Sequence, residues 1–247
     1  MRSRAVDVRR SAAVAGLDAA HETAPRTPIY TAAEVAADRM LHLLALPAAL
    51  GAVVWLFLTT LPAAGFRQAL AVIIYGIALI GMLTASAAYN LTRRARRKAL
   101  LRRVDHAMIF VMIAGTYTPF MLVALRHESG PLVLALIWSL ASIGIIVKLA
   151  YPGRFERLML AVYLTMGWIF LGIGRDMAAP RLAPVLFLLI SGGAAYSLGA
   201  ILHAYGRPKF HNVAWHGLVL VGAGFHWVAV ARLLAAAQAL QRVSCVR

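Results

Sequence analysis

Ser86 and Asn90, Asp105 and His106, and Asn212 and His216 are the residues of this sequence best placed to do chemistry. The first and last pairs are spaced i, i+4, so each shares one helix face. Together they set a hydroxyl, a carboxylate, two imidazoles and two amides into an apolar chain, groups that donate, accept and carry protons. Inside lipid such groups are costly, and for that reason they point to function. His226 lies ten residues beyond His216, roughly 15 Å along a helix. With only apolar neighbours it reads as a hydrogen-bonded core residue. In Thr116-Tyr117-Thr118-Pro119 the proline removes a backbone donor, and the neighbouring hydroxyls are expected to satisfy the freed carbonyl. The plainer alternative is that all these groups only bind helices to one another. Spacing alone leaves both readings open.

The elements that must position them follow from composition. Of 247 residues, 62% are hydrophobic and 14% charged, against about a quarter charged in a soluble domain. The mean hydropathy is +0.76. Such a chain needs lipid as its solvent, where only helices or a closed barrel satisfy the backbone. The apolar stretches are long unbroken runs, not short alternating ones, which excludes the barrel. With about 20 residues per crossing, seven spans are expected, at roughly 41–61, 68–90, 104–125, 131–150, 158–174, 183–204 and 213–236. The predicted fold is all-α, an integral membrane bundle of seven transmembrane helices over 31–237. A basic tail without fixed structure (1–30) precedes it, and a short C-terminal tail (238–247) follows. Glu34, Asp38 and His42, at i, i+4 and i+8, suggest an amphipathic lead-in to the first span. Gly193 and Ser197 in the sixth span make a small-xxx-small pair suited to close helix packing.

Of the 25 basic residues, 18 fall on the side of the N-terminal tail and 7 on the other. The basic side is expected to be cytoplasmic, with the C-terminus opposite. Ser86, Asn90, Asp105, Asn212 and His216 then share one depth near the cytoplasmic face, in what is expected to be a bacterial inner (plasma) membrane. The formal charge of +16 is read as topology and contact with anionic headgroups of membrane lipids, above all at the Arg93–Arg103 loop. No basic globular domain exists to bind nucleic acid. The single Cys245 forms no internal disulfide, and nothing in the sequence sets an oligomeric state.

Three segments carry a resemblance to the hemolysin III family. They are Ser86-Ala-Ala-Tyr89-Asn90, Leu101-Arg-Arg-Val-Asp105-His106-Ala-Met-Ile-Phe110 and Ile113-Ala-Gly-Thr-Tyr-Thr-Pro119. Met166-Gly167-Trp168, Gly192-Gly193-Ala-Ala-Tyr196-Ser-Leu-Gly199 and Ala214-Trp215-His216 with His226 extend it over about residues 30–235. That family is grouped with the progestin and adiponectin receptor-like seven-helix proteins. The resemblance implies a zinc site in the wider group, built from a Ser and a His on span two, an Asp on span three and a His-x-x-x-His pair on span seven. Related members with that site hydrolyse lipid amides, and haemolysis by a pore gave the family its name.

This sequence departs from that pattern. Ser86, Asp105 and His216 match, but the span-two His position is Asn90 and the first His of span seven is Asn212. An amide oxygen is a poor ligand for zinc, so no cofactor is favoured, with zinc as the possible one. Asn90, Asn212, Asp105 and His216 are expected instead to form a hydrogen-bonded network without metal. His42, His106 and His226 are secondary candidates. His42 starts span one on the same side and can reach inward, whereas His106 is rotated about 100° from Asp105. Three functions stay open: lipid or ligand sensing or membrane modulation around a metal-free cluster, which the two Asn residues favour; a zinc-dependent hydrolase of a lipid amide or ester with Ser86 and Asp105 as catalytic residues and His216 as ligand; and a pore, for which the spans show neither a charged ring nor an inverted repeat.

Overall fold

The computed structural model describes residues 30–126, 129–173, 182–205 and 208–245. The tail expected over residues 1–30 lies almost wholly outside them. The described residues form seven α-helices: α1 (Ala32–Thr60), α2 (Phe66–Leu91), α3 (Ala95–Pro119), α4 (Gly130–Ala150), α5 (Glu156–Trp168), α6 (Ala183–Tyr205) and α7 (His211–Cys245). Six of them are long and apolar enough to cross a membrane. The seventh, α5, has 13 residues and continues as a tighter helix over Ile169–Ile173. At about 1.5 Å per α-helical residue and 2.0 Å per 3₁₀ residue the two pieces together reach about 30 Å, one hydrocarbon thickness. The last helix continues to Cys245 through the stretch expected as a tail.

α3 lies at the centre. Its most apolar window is 61% buried, against 22% for that of α1. Phe110 on α3 and Tyr75 on α2 are fully enclosed. α2 comes close because Gly115 of α3 meets Ala78, and α4 because Gly144 accommodates the Phe110 ring. A side chain at either glycine would collide with its neighbour, so both close approaches depend on glycine.

Pro119 ends the regular part of α3. A widened turn follows, Phe120–Ala124, closed by Leu125 N–H donating to the Phe120 carbonyl at 3.0 Å. The threonine hydroxyls do not take the carbonyl that the proline frees, which belongs to Gly115. Thr116 Oγ1 donates to Met112 O at 2.9 Å and Thr118 Oγ1 to Ala114 O at 2.8 Å. A hydroxyl on a helix reaches its own i−4 carbonyl, and neither threonine stands four residues after Gly115.

α1 and α7, the first and last described helices, are joined along their length by polar side chains. Phe210 N–H donates to Glu34 Oε1 at 2.7 Å. Trp227 Nε1 donates to the Ala52 carbonyl at 3.2 Å, and Gln238 Nε2 to that of Thr60 at 2.8 Å. Phe210 has φ 63°, a left-handed conformation a bulky residue resists. The charge-assisted bond from the buried Glu34 holds that turn and sets where α7 begins.

Candidate functional site

The polar residues meet at the end of the bundle where α1 and α7 begin, α2 ends and α3 has just begun. α1 presents Asp38 and His42 on one face, as their four-residue spacing requires. Both are buried. α7 brings His216, whose side chain is 12% exposed. His216 Nδ1 donates to Asp38 Oδ1 at 2.6 Å, a length typical of a charge-assisted bond. His42 Nδ1 donates to the Asp38 backbone carbonyl at 2.8 Å. Its Nε2, left with the lone pair, meets Ser86 Oγ at 3.2 Å, so the hydroxyl donates to it. Asn90 Nδ2 donates to the Ser86 carbonyl at 2.9 Å and reaches Ser86 Oγ at 3.5 Å. The two imidazoles stand edge to face, with centroids 4.7 Å apart. Asp105 faces Ser86 and His216.

Ser86, Asn90, Asp105 and His216 are therefore brought together, and His42 joins them. Asn212, at the start of α7, makes no side-chain hydrogen bond with a described residue. His106 turns away: its Nδ1 lies 3.7 Å from Glu156 Oε2, and its backbone carbonyl accepts from Tyr163 OH at 2.9 Å. His226 sits deep in the bundle, where its Nε2 donates to Leu189 O at 3.3 Å beside the Tyr196 ring.

Reasoning from sequence missed Asp38 as a site residue. The signal was the Glu34, Asp38, His42 spacing, which an interfacial lead-in explains equally well. In the structure Asp38, His42 and His216 each offer a ligand atom within 4.8 Å of the others. A carboxylate and two imidazoles form a donor set that zinc accepts while keeping a position open. The Nδ1 atom of each imidazole is held by Asp38; His216 Nε2 is left available, and His42 Nε2 would take the metal in place of the Ser86 hydroxyl it now accepts from. The residues present thus fit a zinc ion, although the ligands differ from those the family pattern implies. α1 offers a carboxylate and an imidazole, where two positions of that pattern are Asn90 and Asn212.

A membrane bundle of apolar helices with a buried polar centre where α1, α2, α3 and α7 meet at one end is the class these features define. Residues 36–227 match the family described as Haemolysin-III related, and the chain belongs to that family. It is 35% identical over 150 residues to a hemolysin-3 homolog of Bacillus subtilis, covering 61% of this chain and 70% of the relative. Similarity to hemolysin-3 of Bacillus cereus is 32% over 157 residues, 64% and 72% of the two chains. The human monocyte to macrophage differentiation factor is 28% identical over 172 residues, 65% and 69% of the chains. The chain is an integral membrane protein.

Proposed function

We propose that this protein is a membrane-embedded hydrolase of a lipid amide or ester, with Asp38, His42 and His216 holding a zinc ion. The observation that carries the proposal is that α1 adds a carboxylate and an imidazole beside His216, completing three donors where the family's other two ligand positions are amides. Bound there, zinc would polarise a carbonyl and lower the pKa of water. The chain's own groups do the rest. Asp105 orients water and accepts its proton. Ser86, held by Asn90, would be released by His42 Nε2 when that nitrogen takes the metal, and is then placed to donate to a developing oxyanion. The excess of basic residues on the side of the N-terminal tail supports a cytoplasmic position for this centre, and the length of α5 with its tighter continuation supports a seventh, shortest span.

The test is the metal content of detergent-purified protein, alongside hydrolysis of N-acylated lipids. About one zinc per chain is expected, lost in His42→Ala and in His216→Ala together with hydrolysis. Zinc without hydrolysis removes the enzyme and keeps the metal centre. Absence of zinc favours the second reading, lipid or ligand sensing around a metal-free network, for which the 2.6 Å bond between His216 and Asp38 is the supporting observation. The name of the Bacillus relatives raises a pore, which would need ion flux from reconstituted vesicles above that of protein-free controls.

A further inference from the structure

A second polar region lies on the other face of α3. A cavity of about 170 Å³ opens between the first turns of α3, the end of α4 and the start of α5, lined by Arg102, Arg103, His106, Lys148 and Glu156 and by the turn residues Pro152 and Gly153. The lining holds three permanent cations and one carboxylate. Glu156 Oε2 accepts from Lys148 Nζ at 2.8 Å, and Oε1 lies 3.6 Å from Arg102 Nη2. Lys148 is only 3% exposed, and a buried ammonium without a partner is strongly disfavoured. Arg103 is left over, for its Nε is buried with no hydrogen-bond partner. The turn joining α4 to α5 contains two left-handed residues, Gly153 at φ 75° and Phe155 at φ 60°. Phe155 carries a side chain that disfavours this conformation. That strained turn brings Glu156 back onto Lys148, across an eight-residue separation.

Cations gathered around a cavity in excess of their counterion form a site for an anion. We infer that this cavity binds a phosphate group, with Arg102, Arg103 and Lys148 as donors and Glu156 as the resident carboxylate that holds the cations when phosphate is absent. The space far exceeds the ~10–15 Å³ that one water requires. Guanidinium forks match phosphate oxygens in pairs, and a compact ammonium adds a further charge-assisted bond. Leu100, Tyr151 and Phe155 nearby in the chain are exposed apolar residues, as expected at a lipid interface. The phosphate could belong to a phospholipid headgroup or be free in solution. The inference stands apart from the hydrolase proposal and uses none of its residues.

The experiment places the full chain in phosphatidylcholine nanodiscs and follows its unfolding midpoint by tryptophan fluorescence. One arm adds inorganic phosphate against chloride of equal ionic strength, and the other replaces part of the lipid with phosphatidate. A rise in the midpoint with phosphate assigns a free anion, and a rise with phosphatidate alone assigns a headgroup. Arg103→Gln should weaken the half-saturating concentration roughly tenfold or more, the worth of a hydrogen bond to a charged group. Glu156→Gln should strengthen it, because the competing carboxylate is gone, whereas a purely structural ion pair would give no such gain. If Glu156→Gln does not fold, the double variant Lys148→Met/Glu156→Gln keeps the net charge of the site while removing the buried ammonium, and should respond less than the native protein. No rise in either arm beyond the chloride control overturns the inference. So does an Arg103→Gln protein that responds like the native one.

Discussion

Asp105 and His106 are adjacent in sequence yet belong to two unlike polar regions. Asp105 looks toward α1, α2 and α7, where carboxylates, imidazoles and a hydroxyl bond one another within the chain. His106 looks toward α5, where Arg102 and Lys148 share one carboxylate and an arginine nitrogen has no partner. The helical turn of about 100° per residue is enough to divide them. The first region is rich in acceptors and completed by the chain's own groups, while the second has donors to spare. A centre of the first kind suits a cation, and one of the second kind an anion. One helix, the most buried in the bundle, thus serves as the wall between two sites of opposite appetite.

Variants can act on one side of that wall and spare the other. Asp38→Leu should have the largest effect, because it leaves His216 without its partner and His42 beside an apolar group. Breaking such a buried pair costs about 3 kcal/mol or somewhat more, read as a lowered unfolding midpoint. The response to phosphate of the surviving folded protein should remain. Next in size is a crossed pair of glycine variants. Gly115→Ala drives a methyl into Ala78 and separates α2 from α3, moving Ser86 and Asn90 away from Asp105. Gly144→Ala presses on Phe110, whose ring lies 4.5 Å from that of Tyr163, the residue bonded to His106. Each should cost about 1–3 kcal/mol. Only Gly115→Ala should lower the hydrolysis that depends on Ser86 and Asp105, and only Gly144→Ala the response to phosphate. If both properties fall together in either variant, the two regions are not separate. The smallest effect belongs to Arg93→Gln with Arg94→Gln, two exposed side chains. Thermal unfolding should move by less than about 0.5 kcal/mol, and phosphate binding should hold, since neither residue lines the cavity.

The helices were legible because lipid imposes a long apolar run on each crossing, and few other causes produce one. The fifth was the hardest to read, for it completes its length with a tighter helix whose sequence carries no distinct mark. Within the polar centre, Ser86, Asn90 and His216 could be read from their spacing and from the motifs around them. Asp38 could not. A polar face at the start of a helix has the same pattern whether it meets headgroups or another helix, and what decides is the docking of α7, 178 residues away. The cationic cavity was hidden for the same kind of reason. Lys148 and Glu156 look like ordinary interfacial charges in sequence, and only the left-handed turn at Phe155 folds one back onto the other.

The seam between α1 and α7 has a consequence for how the protein is made. Its bonds from Glu34, Asp38, Ala52 and Thr60 span 175 to 178 residues. At roughly 5–20 residues per second on the ribosome, α1 waits about 10–35 seconds before the helix that completes it has been synthesised. Through that interval α1 lacks its partner along the seam, and its carboxylate and imidazole must be kept by water, headgroups or the insertion machinery. The polar centre is consequently the last part of the molecule to come into being, and a chain released before its final helix would have most of its bundle and the cationic cavity, but an unfinished polar centre.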